Sequence, residues 1–295
     1  MKNPIIMVVQ MEIVPLRPKE NFEKIINYFK LAKKNKCDFI VFPEKCDGLL
    51  SPEDYIDENP KRFIQGIKKL CKENEIYCIA GSILEKNGKD YFNTSYLIGR
   101  NGELIGKYDK IALAHYGESE YIKAGDKLPV FDTEFGKIGI LICRDFLYPK
   151  LSNKLAEKGA KIIFCPAFWS YYSNLYEGND KFLKTNFPID ADIKALKFFP
   201  IVRAMENELF FVLCNAAGTY QSKAKIQEGK IISHPALEKL AGHSGVGAPL
   251  QGRINSLENY EEGYMIIELD MNLIEDSMFT FSIKKMSPKL SFSSL

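Results

Sequence analysis

Along its 295 residues the chain alternates short apolar runs with segments of helical period. Ile5–Gln10 is a continuous apolar run closed by one polar residue, the pattern of a strand buried on both faces. Within residues 21–34, Phe22, Ile25, Ile26 and Phe29 recur at helical spacing and predict an amphipathic helix. Residues 39–42 read as the next strand, and 63–71 as a helix with Phe63, Ile64, Ile67, Leu70 and Cys71 facing inward. Strands follow over 77–83 and 91–98, and Asn101-Gly102 marks a hairpin between Leu97-Ile98 and Leu104-Ile105. Residues 130–132 and 137–142 form a further strand pair in this reading. A helix over 151–158, a strand over 161–164, the end of a helix over 201–207 and strands over 209–215 and 264–269 complete the pattern.

This alternation predicts α/β layers around one mixed sheet or two. The two halves echo each other: Phe39-Ile40-Val41-Phe42-Pro43-Glu44 resembles Ile162-Ile163-Phe164-Cys165-Pro166-Ala167. In both, an apolar run stops at proline, as a central strand does when it delivers its next residues to the sheet rim. No Pro/Gly/Ser-rich linker divides the chain, so one domain over residues 1–283 is expected, followed by a Ser- and Lys-rich tail over 284–295. Residues 170–198 and 219–242 are polar and weakly periodic. Stretches of that length in a compact domain serve as lids or binding loops, and a lid is expected over 170–198. Asn101-Gly102 and Gly245-Val246-Gly247 read as turns, since neither opens a phosphate-binding fingerprint.

Composition narrows the classes. With 46% hydrophobic and 26% charged residues there is material for a large core, and 40 basic against 38 acidic side chains leave a net charge of +2. No basic face is forced by that balance, which argues against a nucleic-acid partner. The seven cysteines form no Cys-x-x-Cys pair, and most sit in apolar runs, so they predict a reducing compartment. The apolar N-terminal stretch is too short for a signal segment, and no run approaches the ~18 apolar residues of a membrane span. A cytoplasmic protein without a membrane partner is expected. His115, His234 and His243 are scattered, so no metal site is expected.

The chemistry-bearing residues stand where apolar elements end. A cysteine in an apolar run is most often a small buried hydrophobe, yet Cys143 closes Gly139-Ile140-Leu141-Ile142 and is followed at once by Arg144-Asp145. That placement gives a nucleophile a rigid backbone behind it and free amides beside it. Glu44 follows Val41-Phe42-Pro43, where a carboxylate commonly caps a strand, but beside a thiol it would act as a general base. Lys110 precedes Ile111-Ala112-Leu113, where a lysine is most often a surface residue. Its sharper role is a fixed cation at a developing oxyanion, lowering the pKa of the thiol.

Glu44, Lys110 and Cys143 resemble, in order, spacing and flanking sequence, the Glu-Lys-Cys triad of the nitrilase (carbon–nitrogen hydrolase) superfamily, amidase-like branch. The resemblance extends over Asn93-Thr94-Ser95, Gly106-Lys107-Tyr108-Asp109-Lys110, Phe131-Asp132-Thr133-Glu134-Phe135-Gly136-Lys137-Ile138-Gly139, Pro166-Ala167-Phe168-Trp169, Arg203-Ala204-Met205-Glu206-Asn207 and Gly242-His243-Ser244. It implies a four-layer αββα sandwich with two mixed β-sheets, a homodimer or larger homo-oligomer, and no cofactor. It also implies a second glutamate near the lysine. Glu118, seven residues before Gly125, fits that pattern, and Glu120 is expected to be exposed. Nitrilases of the superfamily carry Cys-Trp-Glu where this chain reads Cys143-Arg144-Asp145, which favours an amide over a nitrile.

The implied activity is cysteine-dependent hydrolysis of a small or ω-amide through a thioester. An N-carbamoyl amine is the alternative substrate, and a catalytically silent binding or scaffold protein or a redox-sensing thiol is the non-hydrolytic alternative. Arg144, Phe168, Trp169 and Tyr116 stand as candidate substrate-binding side chains, Arg144 for a substrate carboxylate. Pro43 and Asp145 are expected to shape strand ends.

Overall fold

The computed structural model describes residues 2–55, 60–114, 118–171, 190–221, 225–227, 230–233 and 237–283. Tyr116, most of the stretch expected as a lid and the C-terminal tail lie outside the described residues.

The first sheet is built from β1 (Ile5–Gln10), β2 (Phe39–Val41), β3 (Tyr77–Asn87), β4 (Asp90–Ile98) and β5 (Leu104–Asp109). Two helices intervene, α1 (Pro18–Lys34) and α2 (Pro60–Asn74). Pro18 opens α1 where its missing N–H has no intrahelical partner to lose. Ile25, Phe29 and Ala32 turn its apolar stripe inward. A short α3 (Glu118–Tyr121) precedes the second sheet, which starts with β6 (Val130–Thr133), β7 (Gly136–Ile140) and β8 (Ala160–Ala167). The helix α4 (Pro149–Glu157) lies between the last two. The strand β9 (Ser170–Tyr171), the helix α5 (Ala191–Glu206) and β10 (Phe210–Asn215) follow.

The 219–242 stretch is strand-bearing and not only a loop. It contains β11 (Thr219–Gln221), β12 (Lys225–Gln227), β13 (Lys230–Ser233) and β14 (Leu237–Leu240), with β14 pairing to both β11 and β9. Strands this short carry too few apolar positions to show a period. The chain closes with β15 (Gly245–Ala248), β16 (Gly252–Ser256), β17 (Gly263–Glu268) and α6 (Asn272–Thr280). The reading of Gly245-Val246-Gly247 as a turn is thereby corrected: it is a strand between β10 and β16. A Cβ on Gly247 would run into the Pro200 carbonyl, so glycine stands there to let α5 press on the sheet.

Both sheets have six strands, in the orders β17-β1-β2-β3-β4-β5 and β16-β15-β10-β8-β7-β6. Each follows one plan: a parallel trio (β1, β2, β3 or β7, β8, β10), one antiparallel strand beyond its first member and two beyond its last. The echo between residues 39–44 and 162–167 therefore marks equivalent middle strands, β2 and β8. Ile6, Val8, Phe39, Val41 and Ile79 of one sheet pack against Ile138, Ile140, Ile162, Phe164 and Val212 of the other. The alternate residues Met7, Val9, Ile40, Phe42 and Cys78 form a second core with Ile25, Phe29 and Ile67 of the outer helices. Because α4 and α5 pack on the far side of β8, β10 and β15, the layers run α–β–β–α.

Candidate active site

The ends of the middle strands meet. β2 runs into Pro43 and Glu44, and Glu44 bridges Ser82 of β3. Gly81, with φ of +25°, allows this: its missing side chain admits the Pro43 carbonyl. From the other sheet, the chain leaving β8 presents the backbone N–H of Phe168, which donates to Glu44 Oε2 at 2.8 Å. The Phe168 backbone also favours the Cys143 thiolate.

Cys143 opens a 3-10 turn over Cys143–Leu147 in the left-handed region, φ +48°, a strained setting for a residue with a side chain. Asp145 holds that turn. Its buried carboxylate accepts from the Ile142 N–H at 2.9 Å, the Ala112 N–H at 2.7 Å and the Tyr108 hydroxyl at 2.8 Å. It therefore ties the segment carrying the thiol to the loop carrying Lys110. Burial pushes its carboxyl up to about 6, against the pull of those donors and of Lys110.

Lys110 is 2% exposed and donates to Glu44 Oε1 at 2.9 Å and to Glu118 Oε2 at 2.8 Å. Burial opposes its charge, but Glu118, Glu44 and Cys143 outweigh that and raise its pKa well above the ordinary lysine value. Burial alone would raise the Glu118 carboxyl. Lys110, Lys45 and the Ala114 N–H, which donates at 2.7 Å, instead hold it down to about 2. Glu118 is buried and Glu120 exposed, as the resemblance implies.

Lys110 does act to lower the Cys143 pKa, as expected, but it does not decide the net shift. Burial, first, and then the charges of Glu44 and Glu118 raise that pKa above the ordinary thiol range, although Lys110 and the Phe168 N–H pull the other way. A neutral thiol at rest is the consequence, so deprotonation must accompany attack.

Sequence reasoning passed over Asn93 as a site residue. This buried amide, in the middle of β4, donates from Nδ2 to Glu44 Oε1 and to Glu118 Oε1, each at 2.7 Å. Its carbonyl oxygen is buried with no partner among the described residues, a cost of roughly 1–3 kcal/mol that an ordinary core position has no reason to keep. The polar run Asn93-Thr94-Ser95 inside an apolar strand was the available signal.

Of the expected substrate-binding residues, Phe168 packs on Tyr220 with ring centroids 5.0 Å apart. The Trp169 indole lies 5.1 Å from the Phe146 ring and donates to Asp192 at 2.9 Å. Arg144 is half-buried and makes no hydrogen bond or ion pair with any described residue. No group of His, Cys, Asp and Glu among the described residues could hold a metal ion, and all seven cysteines are free and buried. No helix among the described residues is long and apolar enough to cross a membrane.

The carbon–nitrogen hydrolase family model matches residues 6–277. The chain belongs to the carbon–nitrogen hydrolase family. It is a nitrilase-superfamily enzyme, acting on carbon–nitrogen bonds other than peptide bonds. Among its relatives, 2-oxoglutaramate amidase of Bacillus subtilis is 27% identical over 267 residues, covering 89% of each chain. The nitrilase of Pyrococcus abyssi is 26% identical over 91% of this chain and 90% of its own. In structure, a carbon–nitrogen hydrolase of Helicobacter pylori superposes with a TM-score of 0.81 at 21% identity, covering 96% of this chain and 94% of its own. A glutamate-to-glutamine mutant of an amidase from Nesterenkonia matches with a TM-score of 0.72 at 17% identity, covering 97% of each. It shows covalent addition of the acetamide moiety of fluoroacetamide at that protein's active-site cysteine.

Proposed function

We propose that this hydrolase cleaves a small primary amide or ω-amide through a thioester on Cys143, with Glu44, Lys110 and Glu118 as the other catalytic residues. The observation that carries the reading is the buried network in which Lys110 bonds both Glu44 and Glu118, with Glu44 also held by the Phe168 N–H and its charge felt at the Cys143 thiol.

Glu44 takes the thiol proton as the sulfur attacks the amide carbon. Lys110 and the Arg144 backbone N–H stabilise the oxyanion that forms. Glu44 then gives the proton to the departing nitrogen, the carbon–nitrogen bond breaks, and ammonia leaves a thioester. Water, deprotonated by Glu44 and positioned with Glu118, attacks the thioester. The carbon–sulfur bond breaks, the acid leaves and the thiol is restored. Lys110 serves twice, neutralising part of the carboxylate charge at rest and the oxyanion during reaction. The names of the amidase relatives support an amide, as does the absence of the Cys-Trp-Glu sequence of superfamily nitrilases.

The test is ammonia release from a panel of primary amides, nitriles and N-carbamoyl amines, with Glu44→Gln and Cys143→Ala beside the wild type. Turnover of amides by the wild type, reduced at least ~1000-fold in both variants, is expected. Turnover confined to nitriles or N-carbamoyl amines, or full activity in Glu44→Gln, would overturn the proposal.

A further inference from the structure

The residue after Glu44 is a second lysine that the chemistry above leaves unused. Lys45 has φ of +59°, and its N–H is fixed to the Ser82 carbonyl at 2.8 Å, so the turn that places Glu44 also fixes where Lys45 leaves the chain. Its ammonium sits 5.5 Å from the centroid of the Phe168 ring, in the residue whose amide serves Glu44 and Cys143. The side chain is half-buried, yet its one hydrogen bond to a described residue is a long one, 3.5 Å to the Leu50 carbonyl, which also accepts from the Tyr121 hydroxyl. No carboxylate of the described residues comes within ion-pair distance of it.

The nearby carboxylates are otherwise engaged. Glu44 Oε1 is taken by Lys110 and Asn93 and Oε2 by the Phe168 N–H, while both Glu118 oxygens accept from Lys110 and one each from Asn93 and the Ala114 N–H. Burial works against the Lys45 charge, but Tyr121, Glu118 and Glu44 sustain it. A half-buried ammonium with unfilled donor capacity is a receptor for an anion. Charge balance points the same way. Glu44, Glu118 and Lys110 together carry one net negative charge, which would repel an anionic substrate unless a further cation met it.

We infer that Lys45 is a specificity residue that binds the carboxylate at the far end of an ω-amide, so that the substrate class is the monoamide of a short dicarboxylic acid. The inference rests on the amide-hydrolase reading and names its substrate. Arg144, which has no partner among the described residues, is the competing receptor.

The experiment compares kcat and KM for succinamate and butyramide, equal in carbon number and differing in the terminal carboxylate. The enzymes are the wild type, Lys45→Met, Lys45→Arg, Lys45→Glu and Arg144→Met, each checked for native circular dichroism. Expected is a wild-type kcat/KM at least about tenfold higher for succinamate. That ratio should collapse at least about tenfold in Lys45→Met, mainly through KM, survive in Lys45→Arg and fall furthest in Lys45→Glu. An unchanged ratio in Lys45→Met, or its loss in Arg144→Met with Lys45→Met unaffected, overturns the inference alone. Absence of turnover of both amides by the wild type overturns the amide-hydrolase reading itself.

Discussion

Asn93→Ala removes one amide that bonds two carboxylates. Both acceptor oxygens lie 2.7 Å from its Nδ2, so they can be no farther from each other than twice that distance. Two unit charges roughly 5 Å apart repel by about 3 kcal/mol at an effective dielectric of about 20. Each hydrogen bond to a charged group contributes about 1.5–3 kcal/mol. Lys110 still bridges the pair in the variant, and a water can occupy the vacated space, so only part of this is lost. With about 3–4 kcal/mol remaining and about 1.4 kcal/mol per factor of ten, kcat/KM should fall roughly 100- to 1000-fold. The unfolding midpoint should move only modestly, because the orphaned Asn93 carbonyl disappears as well. Asn93→Asp, which adds a third carboxylate, should be worse still. The assay is steady-state ammonia release, together with the pH dependence of Cys143 alkylation to report the field at the thiol. An Asn93→Ala enzyme within about threefold of wild type, with an unchanged alkylation profile, would refute the argument that this amide holds the two carboxylates in register.

Further outcomes follow from the same geometry. Glu118, held at about 2 in the folded protein against an ordinary 4.5, contributes stability that is present above pH 4.5 and is lost as pH falls toward 2. Its size is of order 3 kcal/mol, and urea unfolding across that window should show a steeper loss in the wild type than in Glu118→Gln. Asp145 has the opposite sign. Its folded pKa of about 6 lies above the ordinary 3.8, so its contribution is present below pH 3.8 and lost as pH rises through 6. The wild type should lose roughly 3 kcal/mol from this group between those limits, and Asp145→Asn should lack that slope. Gly247→Ala should cost about 1–3 kcal/mol by pushing α5 off β15, measured by chemical denaturation, with a neutral result refuting the close approach to Pro200.

The sheets were legible in the sequence because their middle strands are buried on both faces and read as unbroken apolar runs. The Pro43 and Pro166 stops even betrayed the equivalence of β2 and β8. Glu44, Lys110 and Cys143 stand out in the sequence through the resemblance of their order, spacing and flanks to the superfamily triad, since each alone reads as readily as a cap, a surface lysine or a buried thiol. Three features were not legible. Gly245–Ala248 passed for a turn because its glycines serve a helix that packs on the strand, a tertiary contact invisible to local pattern. The direction of the Cys143 shift was missed because burial and two carboxylates outweigh the lysine, and that balance depends on depth, not on residue order. Lys45 was passed over because only the fold brings its ammonium to Phe168 while giving it no acid to pair with among the described residues.

The central claim, covalent catalysis by Cys143, is tested most directly by intact-protein mass spectrometry of samples acid-quenched during turnover of a primary amide, with Cys143→Ala in parallel. The account predicts a transient mass increase equal to the acyl group, one per chain, mapped to Cys143 and absent from the variant. Ammonia release without an adduct, undiminished in Cys143→Ala, would contradict it.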